Sequence, residues 1–76
     1  MNLAQELKQR AIKSRTRLVS KEYSEIVLAL SDAADEALGG IGLKNRPYFE
    51  NIDRLEKEGL VLEFKGYECI IRYGDA

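Results

Sequence analysis

Histidine and tryptophan are absent, cysteine and proline occur once each, and no long apolar run is present. Without histidine the chain lacks the commonest general base and the commonest metal ligand. A single cysteine, Cys69, excludes an intrachain disulfide, the usual staple of small secreted domains. With no histidine to activate it, Cys69 has no partner for a Cys-His nucleophilic pair. It falls among apolar residues, which suits a buried small hydrophobe better than a thiolate. No stretch approaches the roughly 20 apolar residues that cross a bilayer. The opening Met1-Asn2-Leu3-Ala4-Gln5-Glu6 has no basic start followed by an apolar stretch, so no secretory signal is expected. Spacings for a P-loop, a dinucleotide fingerprint, a calcium loop and a zinc site are all missing. The expectation is a cytoplasmic binding protein rather than an enzyme, with no cofactor, no metal and no membrane contact.

What is present is a small chain of divided charge. Its 76 residues make one domain with a thin margin of stability. Chains of this size often gain stability by self-association. Net charge is −1, yet residues 1–21 carry Lys8, Arg10, Lys13, Arg15, Arg17 and Lys21 against Glu6 alone. The other twelve acids all lie in residues 22–76, against six Lys/Arg. Such a split suits a basic segment that meets an anionic partner, or the acidic remainder of its own or a neighbouring chain.

The periodicity predicts an α+β domain with two N-terminal helices, a third helix and a C-terminal β-hairpin. The first helix runs from Asn2 to Leu18, with Asn2 as cap and a narrow stripe of Leu3, Leu7 and Ala11, flanked by Ala4 and Ile12. Residues 1–19 thus form a basic helix, an arm for oligomerisation or partner binding. Ser20 is placed as the cap of a second helix through Tyr23, Ile26, Val27, Leu30, Ala33, Ala34, Ala37 and Leu38, stopped by Gly39-Gly40. Gly40-Ile41-Gly42-Leu43 reads as a short strand or an extended linker. Pro47 suits the first turn of the third helix, whose buried stripe is Tyr48 or Phe49 with Ile52 and Leu55. Glu50–Arg54 and Asp53–Lys57 are spaced as ion pairs on its outer side. Gly59 ends it, and Leu60, Leu62 and Phe64 then alternate on one strand face. Lys65-Gly66 is the predicted turn into a last strand with Tyr67, Cys69, Ile71 and Tyr73 on the matching face. Val61 and Ile70 opposite are apolar enough that this side too is expected to be covered, by the first helix or by a second copy.

Two resemblances follow from these segments. Arg54-Leu55-Glu56-Lys57-Glu58-Gly59-Leu60-Val61 resembles the end of a recognition helix entering the wing in winged helix-turn-helix regulators. That resemblance implies Lys44, Asn45, Arg46 and Tyr48 in the major groove, with Lys65, Arg15 and Arg17 on phosphates. Over nearly its whole length the chain is similar to a loose class of small phage-encoded accessory proteins. Leu3-Ala4-Gln5-Glu6-Leu7, Ala33-Ala34, Gly40 to Leu43, Ile52 to Gly59 and Tyr67 to Gly74 carry that likeness. It implies a non-enzymatic host-interacting or structural role, taken here as binding a host or viral macromolecule, a protein in the first place, in the host cytoplasm; the apolar outer sheet face adds the expectation of a homodimer or larger assembly. Four acids on the third helix and a pI near 5.4 weigh toward a protein and away from DNA. The candidate contact residues are Lys8, Lys13, Arg15, Arg17, Lys44, Asn45 and Arg46. A third reading is a nucleotide- or anion-binding oligomer using Lys44 and Arg46.

Overall fold

The computed structural model describes residues 2–74. In chain order the elements are α1 (Leu3–Asp35), β1 (Gly40–Leu43), α2 (Phe49–Lys57), β2 (Val61–Lys65) and β3 (Glu68–Arg72). The class is α+β, with two helices and a three-stranded antiparallel sheet rather than three helices and a hairpin.

The largest departure from expectation is α1, which joins the two predicted N-terminal helices into one of 33 residues. Ser20 lies inside it. A serine in a helix interior costs only a few tenths of a kcal/mol to about 0.7 kcal/mol, and no glycine or proline stands near it to break the ladder. The two halves looked separate because their apolar stripes lie on different sides. Leu7 and Leu18 follow one line, whereas Ile26, Leu30 and Ala33 follow another, turned by roughly a quarter of the circumference at about 3.6 residues per turn. Asn2 does cap the start, its Oδ1 accepting from the Gln5 N–H at 2.9 Å.

The end of α1 also differs from the predicted glycine stop. The Leu38 N–H donates to Ala33 O at 2.8 Å and the Ala37 N–H to Ala34 O at 3.0 Å. Ala37 takes the left-handed position with φ 61°. This is a Schellman closure made by alanine, two residues before the glycines. Gly40 serves β1 instead. A Cβ there would collide with the Ile71 carbonyl oxygen on β3. Gly40→Ala is therefore expected to push β1 off the sheet and cost about 1–3 kcal/mol in urea unfolding; an unchanged midpoint would mean that β1 is not held this closely.

Helix α2 begins at Phe49 with Tyr48 at its cap, so Pro47 precedes the helix instead of opening it. Pro47 is buried, whereas Phe49 is 72% exposed and takes no part in the core. Asn51 and Leu55, four apart, are its buried residues. Gly59 ends the helix at φ 90°, with the Leu60 N–H donating to Leu55 O at 3.1 Å and the Gly59 N–H to Glu56 O at 3.0 Å. The helix-to-strand corner expected at Gly59 is thus present.

Strands β2 and β3 pair with Leu62 opposite Ile71 and Phe64 opposite Cys69. The pairing Lys65–Glu68 makes Gly66-Tyr67 the two-residue loop, one position later than predicted. Gly66 has φ 62°, as a tight hairpin requires at its first loop residue. Tyr67 therefore leaves the strand face and is exposed. Strand β1 joins the far side of β3, with Ile41 opposite Ile71 and Leu43 opposite Cys69, giving the order β1-β3-β2.

One face of this sheet meets both helices. Ile26 and Leu30 from α1, Leu55 from α2 and Cys69 and Ile71 from β3 form the core, with Tyr23, Ile41, Leu43, Leu60 and Leu62 packed around them. Of the expected hairpin face, Leu60, Leu62, Cys69 and Ile71 pack here, whereas Phe64, Tyr67 and Tyr73 are exposed. The opposite face is not covered by α1, because α1 lies on the Cys69/Ile71 side; Val61 there is exposed.

Candidate binding surface on the projecting arm

The long helix is only half used by the core. Its buried residues are Ile26, Leu30 and Ala33, all in the C-terminal half, and every residue from Asn2 to Leu18 is exposed. A helix of this length spans about 50 Å at 1.5 Å per residue, matching the molecule's longest dimension of 53 Å. Residues 2–14 therefore form an arm that extends beyond the body.

A polar clasp marks where the arm leaves the body. The Glu22 Oε1 accepts from the Tyr48 N–H at 2.8 Å and from Asn51 Nδ2 at 2.9 Å. Asn51 Nδ2 also donates to Val19 O at 2.9 Å. One carboxylate thus satisfies an orphan donor at the start of α2 and holds a buried amide against α1. Beside it Arg15 pairs with Glu50 at 2.8 Å and lies 4.9 Å over the Tyr48 ring. The Arg54 guanidinium stacks on Tyr23 at 3.8 Å. The expected Glu50–Arg54 pair is therefore replaced, each partner taking a residue of α1 instead. Asp53–Lys57 forms as expected at 2.9 Å, and the Asp53 carboxylate raises the Lys57 pKa by hydrogen bonding and charge.

The predicted contact residues fall into separate groups. Lys8, Lys13 and Arg17 are exposed on α1, as are Arg10 and Lys21. Arg15 is drawn into the clasp. Lys44, Asn45 and Arg46 lie in the loop after β1, about 20 Å along the molecule from Lys8, counting the rise from residue 8 to residue 22. Arg46 Nε donates to Gly66 O at 3.0 Å, and its guanidinium covers the Phe64 ring at 4.9 Å. It ties the loop to the hairpin turn. The adjoining depression, about 270 Å³, is lined by Lys44 and Arg46 but also by Glu22 and Glu25. Charges of both signs make it a poor cradle for a nucleotide or other anion.

The arm carries the more distinctive chemistry. Leu3, Leu7, Ala11, Ser14 and Leu18 succeed one another at spacings of three and four, one line along the helix. Leu3 is 68% exposed, Leu7 50% and Leu18 45%. Ile12 beside them is exposed as well. An apolar line this long, flanked by Lys8, Arg10, Lys13 and Arg17 and left bare by its own fold, is the surface feature of the molecule most in need of a partner.

Among the described residues no cluster of three His, Cys, Asp or Glu side chains could hold a metal ion. No helix among the described residues is long and apolar enough to cross a membrane. Cys69 is buried, and burial pushes its thiol pKa up. The native protein is accordingly expected to resist thiol reagents at pH 8 and to react fully once unfolded, since only the thiolate attacks; fast native labelling would contradict its placement in the core.

The chain matches no family model, no curated protein and no solved structure.

Asn51 and Glu22 escaped the sequence reading. The available signal was position: Asn51 stands four residues before Leu55, on the inner line of an amphipathic helix, where a polar side chain needs a buried partner.

Proposed function

We propose that this protein is a non-enzymatic binding module of the phage-accessory type, which engages a host or viral protein through the projecting arm and works as a homo-oligomer. The observation that carries the reading is the exposure of Leu3, Leu7 and Leu18 on a helix whose flanks hold Lys8, Arg10, Lys13 and Arg17. An amphipathic helix of this kind suits a groove with apolar floor and acidic rim. The test is a pull-down from the host with the intact chain and with a Lys13→Glu/Arg17→Glu variant. A stoichiometric protein partner lost from the variant supports the reading; equal capture by both removes the arm from it.

DNA is the second reading, favoured by the cationic density of the arm. The strand order β1-β3-β2 beside a helix that feeds a hairpin suits a winged domain. Among the described residues, however, only α2 lies between β1 and β2, and no second helix pairs with it across a turn. The outward side of α2 carries Asp53 and Glu56, and its C-cap is Glu58; all three repel phosphate. Random duplex DNA titrated between about 50 and 200 mM salt separates the two. A regulator loses affinity steeply over that range, whereas the protein-binding reading expects no such binding.

A further inference from the structure

Charge along α1 changes sign at its middle. Residues 3–17 hold Lys8, Arg10, Lys13, Arg15 and Arg17 with Glu6 the one acid; residues 19–35 hold Glu22, Glu25, Asp32 and Asp35 with Lys21 the one base. The basic half is the arm and the acidic half is the part seated on the body. The seated half is not wholly consumed by the core, however. Lys21, Glu25, Leu28 and Asp32 are exposed on it, Leu28 at 63%.

Carried onto this open side, the line of the arm meets Leu28 and otherwise the charged Lys21, Glu25 and Asp32. Leu7, Ser14, Lys21 and Leu28 are seven apart, and so are Ala4, Ala11, Leu18, Glu25 and Asp32. Together the two columns form one seam along the helix, apolar at Ala4, Leu7, Ala11, Leu18 and Leu28 and polar at Ser14, Lys21, Glu25 and Asp32. Core residues Ile26, Leu30 and Ala33 lie on a different side, so the seam is reachable without disturbing the fold.

Electrostatics chooses the partner and its direction. With Arg15 and Glu22 held in the clasp, two copies paired in parallel set Lys8, Arg10, Lys13 and Arg17 against the same four cations, and Glu25, Asp32 and Asp35 against the same three acids. Two copies paired antiparallel set each arm along the acidic half of the other. From these observations we propose that α1 binds α1 of a second copy, antiparallel, with Leu18 near the crossing point, so that the arm of each chain covers the open seam of its partner. The proposal rests on the reading of the arm as a binding element and names the second copy as what covers its apolar line when no host protein is bound. The cations bordering the seam stay at the rim, available to a further partner.

Sedimentation of the purified full chain tests it. The expected mass is twice 8.6 kDa, with association weakening between about 0.1 and 1 M salt as the Debye length falls from roughly 10 to 3 Å. Leu18→Glu keeps a helix-favouring residue at an exposed position, so circular dichroism is expected to match the native chain while the dimer weakens more than about tenfold. The charge exchange is stricter. Arg10→Glu/Arg17→Glu and Glu25→Lys/Asp32→Lys are each expected to be monomeric alone and to form a heterodimer when mixed. A nitroxide on Ala4→Cys reads direction: about 40–48 Å between labels for antiparallel helices at 1.5 Å per residue, against about 10–20 Å for parallel ones at an 8–10 Å axial spacing. A monomer at high micromolar concentration, or the short distance, overturns the proposal. A monomer whose arm variants still lose the host protein leaves the proposed function standing; a dimer that captures nothing leaves only the pairing.

Discussion

Asn51→Asp is expected to destabilise the protein by about 3–5 kcal/mol at neutral pH. Asn51 is 2% exposed, and its Nδ2 donates to both Val19 O and Glu22 Oε1. Aspartate matches the shape but offers no hydrogen. It would set a second carboxylate at hydrogen-bond distance from Glu22 and aim an anion at a carbonyl oxygen. A domain of this length has a total stability of only about 4–11 kcal/mol, at 0.05–0.15 kcal/mol per residue, so the change removes a large share. The pH dependence has a definite sign. Burial and the neighbouring carboxylate raise the pKa of the introduced acid above its unfolded value of about 3.9. The folded variant then binds the extra proton, so its deficit shrinks as pH falls toward the unfolded pKa and grows as pH rises. Adding Glu22→Gln supplies a donor to the new carboxylate and is expected to return roughly half of the loss, measured as a double-mutant cycle in urea. A loss below about 1 kcal/mol at neutral pH would mean that the clasp is open to water.

The clasp explains why the architecture was only partly legible. Local signals were read correctly where one residue type has one physical use. Gly59 supplies positive φ after a helix, Gly66 supplies it in a hairpin, and the alternation of Leu62 and Phe64 with Cys69 and Ile71 sets a register that a one-residue slip would turn inside out. The reading failed where residues answer to distant parts of the chain. Arg15 meets Glu50 across 35 positions, and Glu22 reaches Asn51 across 29. Glu50 has Arg54 four residues away, yet the guanidinium of Arg54 gains more on the ring of Tyr23. Ser20 read as a cap because a new apolar stripe begins after it. The stripe is new only in direction, since one helix serves the body with one side and leaves another bare.

The same division decides what each half of α1 contributes. Ile26, Leu30 and Ala33 give the body its core, and the clasp at Arg15, Val19 and Glu22 sets the angle at which the rest departs. Leu3, Leu7, Ile12 and Leu18 add nothing to the stability of one chain. Their exposure is a standing cost that a binding partner would remove. The candidate contacts in the 44–46 loop fared differently: Arg46 is spent on Gly66 and Phe64, so the loop reads as a brace for the hairpin.

Leu55→Ala separates these two kinds of leucine. Leu55 is 1% exposed and sits where α1, α2 and the sheet converge, and its carbonyl receives the Leu60 N–H that closes α2. Truncation deletes buried methyl groups and leaves a cavity that a three-sided junction closes poorly, at an expected cost of about 2–5 kcal/mol. The loss should appear as a lower urea midpoint with association of the arm unchanged wherever the variant is still folded. Leu7→Ala is the converse case. Half of Leu7 already faces water, so unfolding of the isolated chain should move by no more than about 0.5 kcal/mol. Its effect should be read in binding, because the methyl groups it removes have no contact to lose until a second helix arrives. Two leucines on two helices, alike in composition, are thus expected to fail in opposite assays. A small cost for Leu55→Ala would place the core elsewhere, and a large folding cost for Leu7→Ala would mean that the arm lies down on the body.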